Sequence, residues 1–168
     1  RAPGGTRSWT VAPAYAPVDN IELGAGISRE IGTGIQTQNI QAKFRITPTQ
    51  DNGCNFGAVA GYARVEGDSS KPYVNALFSC NSATLGSLHT NVGALDASGS
   101  QRVRTWGVAW ERAYGDVTVH IEKFGMEHEK PTLATGLRFN VMEDLQLDTS
   151  LGRTNKQNVV TIGLKWMF

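Results

Sequence analysis

The chain contains no uninterrupted apolar run approaching the roughly 18 residues that a membrane-spanning helix needs, and its mean hydropathy of −0.27 is slightly negative. A helical membrane protein is excluded. Charge of one sign is also missing: 16 Lys and Arg against 15 Asp and Glu leave a net +1, and the charges are scattered. That balance excludes a nucleic-acid footprint, which needs clustered basic charge. Cysteine and histidine are scarce, with two Cys and three His in 168 residues. His89, His120 and His128 have no ligand-like spacing, so no tetrahedral zinc site and no other metal or cofactor is expected. His128 lies in the charged tip Glu127-His128-Glu129-Lys130 and reads as part of a solvated loop.

What the chain does have is glycine, 19 residues of it, and period-two alternation. Turn signals recur every dozen or so residues, and almost no stretch between them keeps a helical spacing. Eleven strand-like segments are legible. The first, Thr6 to Ala16, aligns Trp9, Val11, Pro13 and Tyr15, although Pro13 and Pro17 are poor strand residues. Later segments are clearer. Ile40, Ala42, Phe44 and Ile46 oppose Gln41, Lys43, Arg45 and Thr47, and Trp106, Val108, Trp110 and Tyr114 oppose Thr105, Gly107, Ala109 and Glu111. The sixth segment, Ala83 to Leu95, has no clear register. Low mean hydropathy does not count against a membrane barrel, because only alternate strand residues meet lipid and about 10 residues span it.

The final strand runs Thr161-Ile162-Gly163-Leu164-Lys165-Trp166-Met167-Phe168. Val160, Ile162, Leu164, Trp166 and Phe168 form an oily face, and Thr161, Gly163 and Lys165 a small or charged one. Thr161, Gly163, Trp166 and Phe168 resemble the β-signal of Gram-negative outer-membrane proteins, which the barrel-assembly machinery reads in that family. The resemblance implies that the last strand runs towards the periplasm. The turns around Thr49, Asn81, Gly115 and Glu143 are then periplasmic, and those around Ile31 to Gln38, Asp68, Ser98, Glu127 and Asn155 external.

Consecutive antiparallel hairpins without helices predict an all-β, antiparallel up-and-down transmembrane β-barrel of 10–12 strands, closed so that no edge stays free. Eleven segments break the even-strand rule of bacterial barrels. Either residues 1–17 are a lead-in before a barrel of residues 18–168, or they are a first strand and a further strand lies upstream. The shared face of Trp9, Val11 and Tyr15 favours twelve. Arg1 to Gly5 has no basic start followed by an apolar stretch and no initiator Met, so the opening reads as processed or truncated.

The faces opposite the oily ones carry Glu22, Lys43, Arg45, Glu111, His120, Glu122, Arg138, Asp148 and Lys165 among Gly, Ala, Ser and Thr. Charges in a narrow interior must pair or hold water, so this lumen-facing set is either a water-filled path that tunes permeation or a salt-bridged plug. The aromatics Trp9, Trp106, Trp110, Trp166, Tyr15, Tyr62, Tyr114, Phe139 and Phe168 suit interfacial girdles. Cys54 and Cys80 flank one hairpin; its register puts Cys54 opposite residues 82 to 84, and one bulge would bring Cys80 into a disulfide. Without that bulge they are two free thiols.

His120 and Glu122 project together as a general base and its orienting acid would, but no Ser stands at a recognisable spacing and no catalysis is expected. The reading is a narrow porin-like pore in the bacterial outer membrane, or a structural subunit of an envelope assembly. Its expected partners are the lipid bilayer with its lipopolysaccharide, the assembly machinery, and other envelope subunits in the second case. The competing classes are a barrel-wall enzyme that modifies lipid and a soluble ligand-binding β-barrel.

Overall fold

The computed structural model describes residues 7–48, 50, 52–96, 102–154 and 157–167. Those residues form twelve strands: β1 (Arg7–Val11), β2 (Ala14–Val18), β3 (Ile21–Ile31), β4 (Gln36–Arg45), β5 (Gly53–Val65), β6 (Lys71–Ser82), β7 (Gly86–Asp96), β8 (Arg102–Tyr114), β9 (Val117–Met126), β10 (Thr132–Asn140), β11 (Leu145–Thr154) and β12 (Gln157–Trp166). From β3 onward each strand pairs with its successor, while β1 and β2 both pair with β3. Phe168, Thr49, Ser98 and Asn155, named above, lie outside the described residues.

The status of the first segment is decided at Pro13, and the odd count of ladder positions stays. Arg7 to Val11 face Ile31 to Ile27, while Ala14 and Tyr15 face Gly24 and Leu23, so β1 and β2 run end to end along β3. Pro13 has no N–H to give the ladder and interrupts the strand, although its carbonyl still accepts the Ala25 N–H at 3.0 Å. Eleven segments therefore become twelve strands in eleven ladder positions. Within residues 7–18, β1 and β2 are both paired with β3. A second difference concerns the sixth segment: β6 continues to Ser82 and β7 begins at Gly86, so Asn81 belongs to a strand and the turn follows it.

The chain divides into two compact units. The first comprises Arg1–Pro48, Phe56–Leu77 and Val92–Arg104. In its β3–β4–β5 ladder Ala25, Ile40 and Tyr62 lie opposite one another, as do Glu22, Lys43 and Val59 on the other face. The apolar face is open: Ile40 is 61% and Tyr62 55% exposed. In the β5–β6 turn the Lys71 ammonium lies 2.6 Å from Asp68 and holds that carboxyl below the ordinary carboxylate range, with help from the Ser69 N–H.

The second unit comprises Thr49–Asn55, Phe78–Asn91 and Thr105–Phe168. The two-residue turn at Gly115-Asp116 closes the β8–β9 hairpin, and Gly115 takes the positive φ of 62° that such turns demand. On the apolar face Leu133 is 54% and Leu151 55% exposed. Among the described residues the buried hydrophobics are Val59 and Ala134, and no large side chain is fully buried. A sheet whose oily face is its exposed face is the reverse of what a water-soluble fold presents.

Cys54 and Cys80 form a disulfide with their Cα atoms 4.0 Å apart. Two hydrogen bonds reinforce it: Asn81 Nδ2 donates to the Gln50 carbonyl at 2.8 Å, and the Ala83 N–H donates to Asn52 Oδ1 at 2.9 Å. The turn before β5 is thus fastened to the turn after β6. Two indoles secure the same end of the second unit. Trp110 Nε1 donates to the Leu85 carbonyl at 2.8 Å, and Trp166 Nε1 to Asp144 Oδ2 at 2.9 Å.

Candidate functional site

The polar face of the second unit carries a connected set of charges. Alternation along β8, β10 and β11 places Glu111, Arg138 and Asp148 on that face, and register brings them together, because Arg138 lies directly opposite Asp148. The Arg138 guanidinium donates through Nε to Asp148 Oδ1 at 2.9 Å and through Nη1 to Glu111 Oε2 at 2.9 Å. One planar fork therefore bridges two carboxylates, a geometry suited to arginine and not to lysine. The chain of contacts continues past the carboxylate. Glu111 Oε1 is 3.5 Å from His89 Nε2, and His89 Nδ1 shares a 2.8 Å hydrogen bond with Ser79 Oγ. Side chains from β6, β7, β8, β10 and β11 are thereby linked. Arg138, Glu111 and Asp148 each keep roughly a third of their side-chain surface exposed, so the group is wetted and not sealed.

This cluster borders a cavity of about 240 Å³, lined also by His120, Glu122, Ser150, Thr161 and Gly163. Five residues expected on the polar face, Glu111, His120, Glu122, Arg138 and Asp148, are thus brought to one place. Lys165 is not among them; it faces Gln146 across the β11–β12 ladder. Glu22 and Lys43 are direct cross-strand partners in the first unit, and Arg45 faces Gly57 there. The cavity wall holds three carboxylates and one guanidinium, leaving it net acidic. Among the described residues no group of three or more possible metal ligands converges.

Sequence reasoning missed His89 and Ser79. The face of β7 was obscured because Thr90 stands where an apolar residue would be expected and Leu95 where a polar one would. Leu88 and Val92, 41% and 63% exposed, mark the oily face, and a frame anchored on them places His89, Asn91 and Gly93 opposite.

A second regularity concerns how polar side chains lie. The His120 imidazole rests over Gly136, its direct partner on β10, and a Cβ at that glycine would meet His120 Nε2 at 2.6 Å. Asn91 lies over Gly107 in the same way. In the first unit Gln41 lies over Gly24 and the Tyr73 ring over Gly61, with Tyr73 Oη donating to Gln41 Oε1 at 2.9 Å. Glycine in a strand interior weakens the strand locally, but it lets a neighbouring side chain lie flat. These polar groups are accordingly laid along the wall and do not project from it, Tyr73 and Gln41 being tied to each other.

No curated protein matches this chain. Among solved structures it is similar to the KdgM porin in complex with disordered oligogalacturonate, with a TM-score of 0.80 at 9% identity over 97% of this chain and 92% of that one. It is also similar to the KdgM porin alone, with a TM-score of 0.74 at 10% identity and the same coverage. A mutant of the Rh. blastica porin gives 0.51 at 14% identity, covering 95% of this chain and 55% of that one. At these identities the likeness speaks to fold, and the fold is the antiparallel porin barrel that the alternation predicts. The model of the family described as "Uncharacterised conserved protein UCP029691" matches residues 6–168, and the chain belongs to that family.

Proposed function

We propose that this protein is a narrow, passive pore of the bacterial outer membrane that passes small polar solutes, and that the charged face of the second unit lines its path. The observation that carries this reading is the division of the sheet: exposed oily residues on one face and the wetted Glu111–Arg138–Asp148 cluster beside a 240 Å³ cavity on the other. In a porin fold that division sets lipid against the first face and water against the second. A soluble ligand-binding barrel would turn its oily side chains inward, opposite to what these strands do.

A lipid-modifying enzyme needs its nucleophile at the lipid boundary. Ser150 is the Ser nearest to His120 in register, one strand beyond Gly136, but it stands on the polar face, away from lipid. The solute class follows from charge. Oligogalacturonate, which the KdgM porin holds, is a polyanion, whereas three carboxylates face one guanidinium here. Small cations and neutral polar solutes suit this wall better.

Reconstitution of the full chain into planar bilayers is expected to give stepwise conductance with a preference for potassium over chloride. A protein that stays monomeric in buffer without detergent, or bilayers that remain silent, would overturn the pore.

The terminal segment Thr161, Gly163, Trp166 and Phe168 serves in this reading as the assembly signal. Trp166 also anchors the end of β12 through Asp144, so its two roles need separating. In cells, Trp166→Phe, which keeps the ring and removes the N–H, is expected to leave the assembled amount near wild type. Trp166→Ala with Phe168→Ala should reduce it about twofold. Equal amounts of all three proteins in outer-membrane fractions would remove the signal.

A further inference from the structure

On several strands the oily face gives way to a basic residue at the same end. On β9 the apolar-face residues run Val117, Val119, Ile121 and then Lys123; on β11 they run Leu145, Leu147, Thr149, Leu151 and then Arg153. Lys123 and Arg153 belong to one cross-strand row, Val108–Lys123–Leu133–Arg153–Asn158, and flank Leu133 from its two sides. Both are exposed. Strands lie about 4.8 Å apart, so the two cationic heads can close on a single anionic group in front of Leu133. The first unit repeats the pattern by itself, with Arg29 between Ile27 and Ile31 near the end of β3 and Arg64 ending the apolar run of β5, both exposed. None of these four cations forms an ion pair with a described residue.

Tolerance alone does not explain the sign. A charge on a lipid-facing wall costs about 2–4 kcal/mol at the bilayer centre for Arg or Lys, less for Asp or Glu, and little near the interface. A position chosen only for being cheap would therefore accept carboxylates at least as readily. The oily faces of β3, β5, β9, β10 and β11 carry no Asp or Glu. At that end Glu66 and Asp68 lie just beyond β5, with Asp68 already held by Lys71, Glu30 is on the polar face of β3, and Asp96 closes β7 on the face of Leu88 and Val92. At the opposite strand ends the turns hold Asp19, Asp116, Glu143 and Asp144, and the basic residue on the oily face of β8 there, Arg112, lies over the Tyr114 ring at 5.1 Å. The end in question bears the loops between β3 and β4, β5 and β6, and β9 and β10, which the direction of the last strand makes external.

We propose that this basic edge of the oily face, centred on Lys123 and Arg153, is a docking surface for the phosphate groups of outer-leaflet glycolipid. The inference rests on the membrane reading above and deepens it by naming a lipid partner and its contacts. Long basic side chains keep their stems on the apolar wall and carry their charge to the headgroup level. There, phosphates accept charge-assisted hydrogen bonds, in fork geometry from Arg153 and as a point charge for Lys123.

The test uses the full chain in a zwitterionic detergent, titrated with diphosphoryl lipid A. Lys123→Gln with Arg153→Gln is expected to bind roughly tenfold more weakly than wild type, while Lys123→Arg with Arg153→Lys retains binding. Lipid A stripped of its phosphates should not distinguish wild type from the Gln variant. Equal lipid A affinity in the two proteins overturns the docking surface. So does an equal dependence of phosphatidylglycerol binding on the two residues, which would mark a general anionic site. Bilayer conductance of the Gln variant is expected to match wild type; conductance missing from both overturns the pore itself and not this surface in particular.

Discussion

Arg138→Met is expected to destabilise the protein by about 2 kcal/mol and to increase its preference for cations. Removing the guanidinium leaves Glu111 and Asp148 without the group that bridges them at 2.9 Å on either side. Stranding the partners of a fully buried ion costs roughly 3–5 kcal/mol. These carboxylates are about one-third exposed, so water recovers part of that loss and the smaller figure applies. The same substitution deprives the cavity wall of its guanidinium and leaves three carboxylates. Reversal potentials in asymmetric potassium chloride should therefore shift towards the potassium limit, and the urea midpoint in micelles should fall. Arg138→Lys keeps the charge but not the fork, and is expected to restore selectivity while recovering only part of the stability. An unchanged midpoint together with an unchanged reversal potential would show that the cluster neither holds the wall nor faces the permeating ions.

The larger effect on stability belongs to the disulfide. Cys54→Ser with Cys80→Ser is expected to lower unfolding stability by about 3 kcal/mol, since closing a loop of this order removes comparable entropy from the unfolded chain. The cysteines are 26 residues apart in sequence, and the bond spans the β5–β6 hairpin. Wild type treated with reductant should match the double variant, and intact wild type should migrate differently on denaturing gels with and without reductant. If denaturant midpoints of wild type and variant coincide, the hydrogen bonds from Asn81 and Ala83 to the turn before β5 suffice to hold that end. The pair of substitutions is preferable to either alone, because a single free thiol invites intermolecular exchange.

The strand faces were legible because period-two alternation is a local property: Ile40 and Phe44 against Gln41 and Lys43 can be read without knowing any neighbour. Glu111, Arg138 and Asp148 were placed on the polar face on that basis alone. Their convergence was not legible, because it depends on how far each hairpin is offset from the next. The same limit applied to the cysteines. The hairpin count pointed two to four residues beyond Cys80, and only a local irregularity could bring it opposite Cys54. His89 escaped because Thr90 and Leu95 blur the faces of β7. Pro13 reads in the sequence as a weak strand residue, and a residue lacking an N–H can divide a strand while the chain just beyond it, at Ala14 and Tyr15, keeps the same register.

The glycines beneath Gln41, Tyr73, Asn91 and His120 have a consequence for size. A side chain standing out from a wall takes up its full length, whereas one lying across a neighbouring glycine takes up little more than the thickness of a ring or an amide. By recessing its polar groups in this way, a short chain can present many hydrogen-bonding atoms and keep its bore. Calibre is then governed by the strands on which nothing projects, and a single added methyl at one of those glycines acts as a stop that tilts its neighbour into the stream.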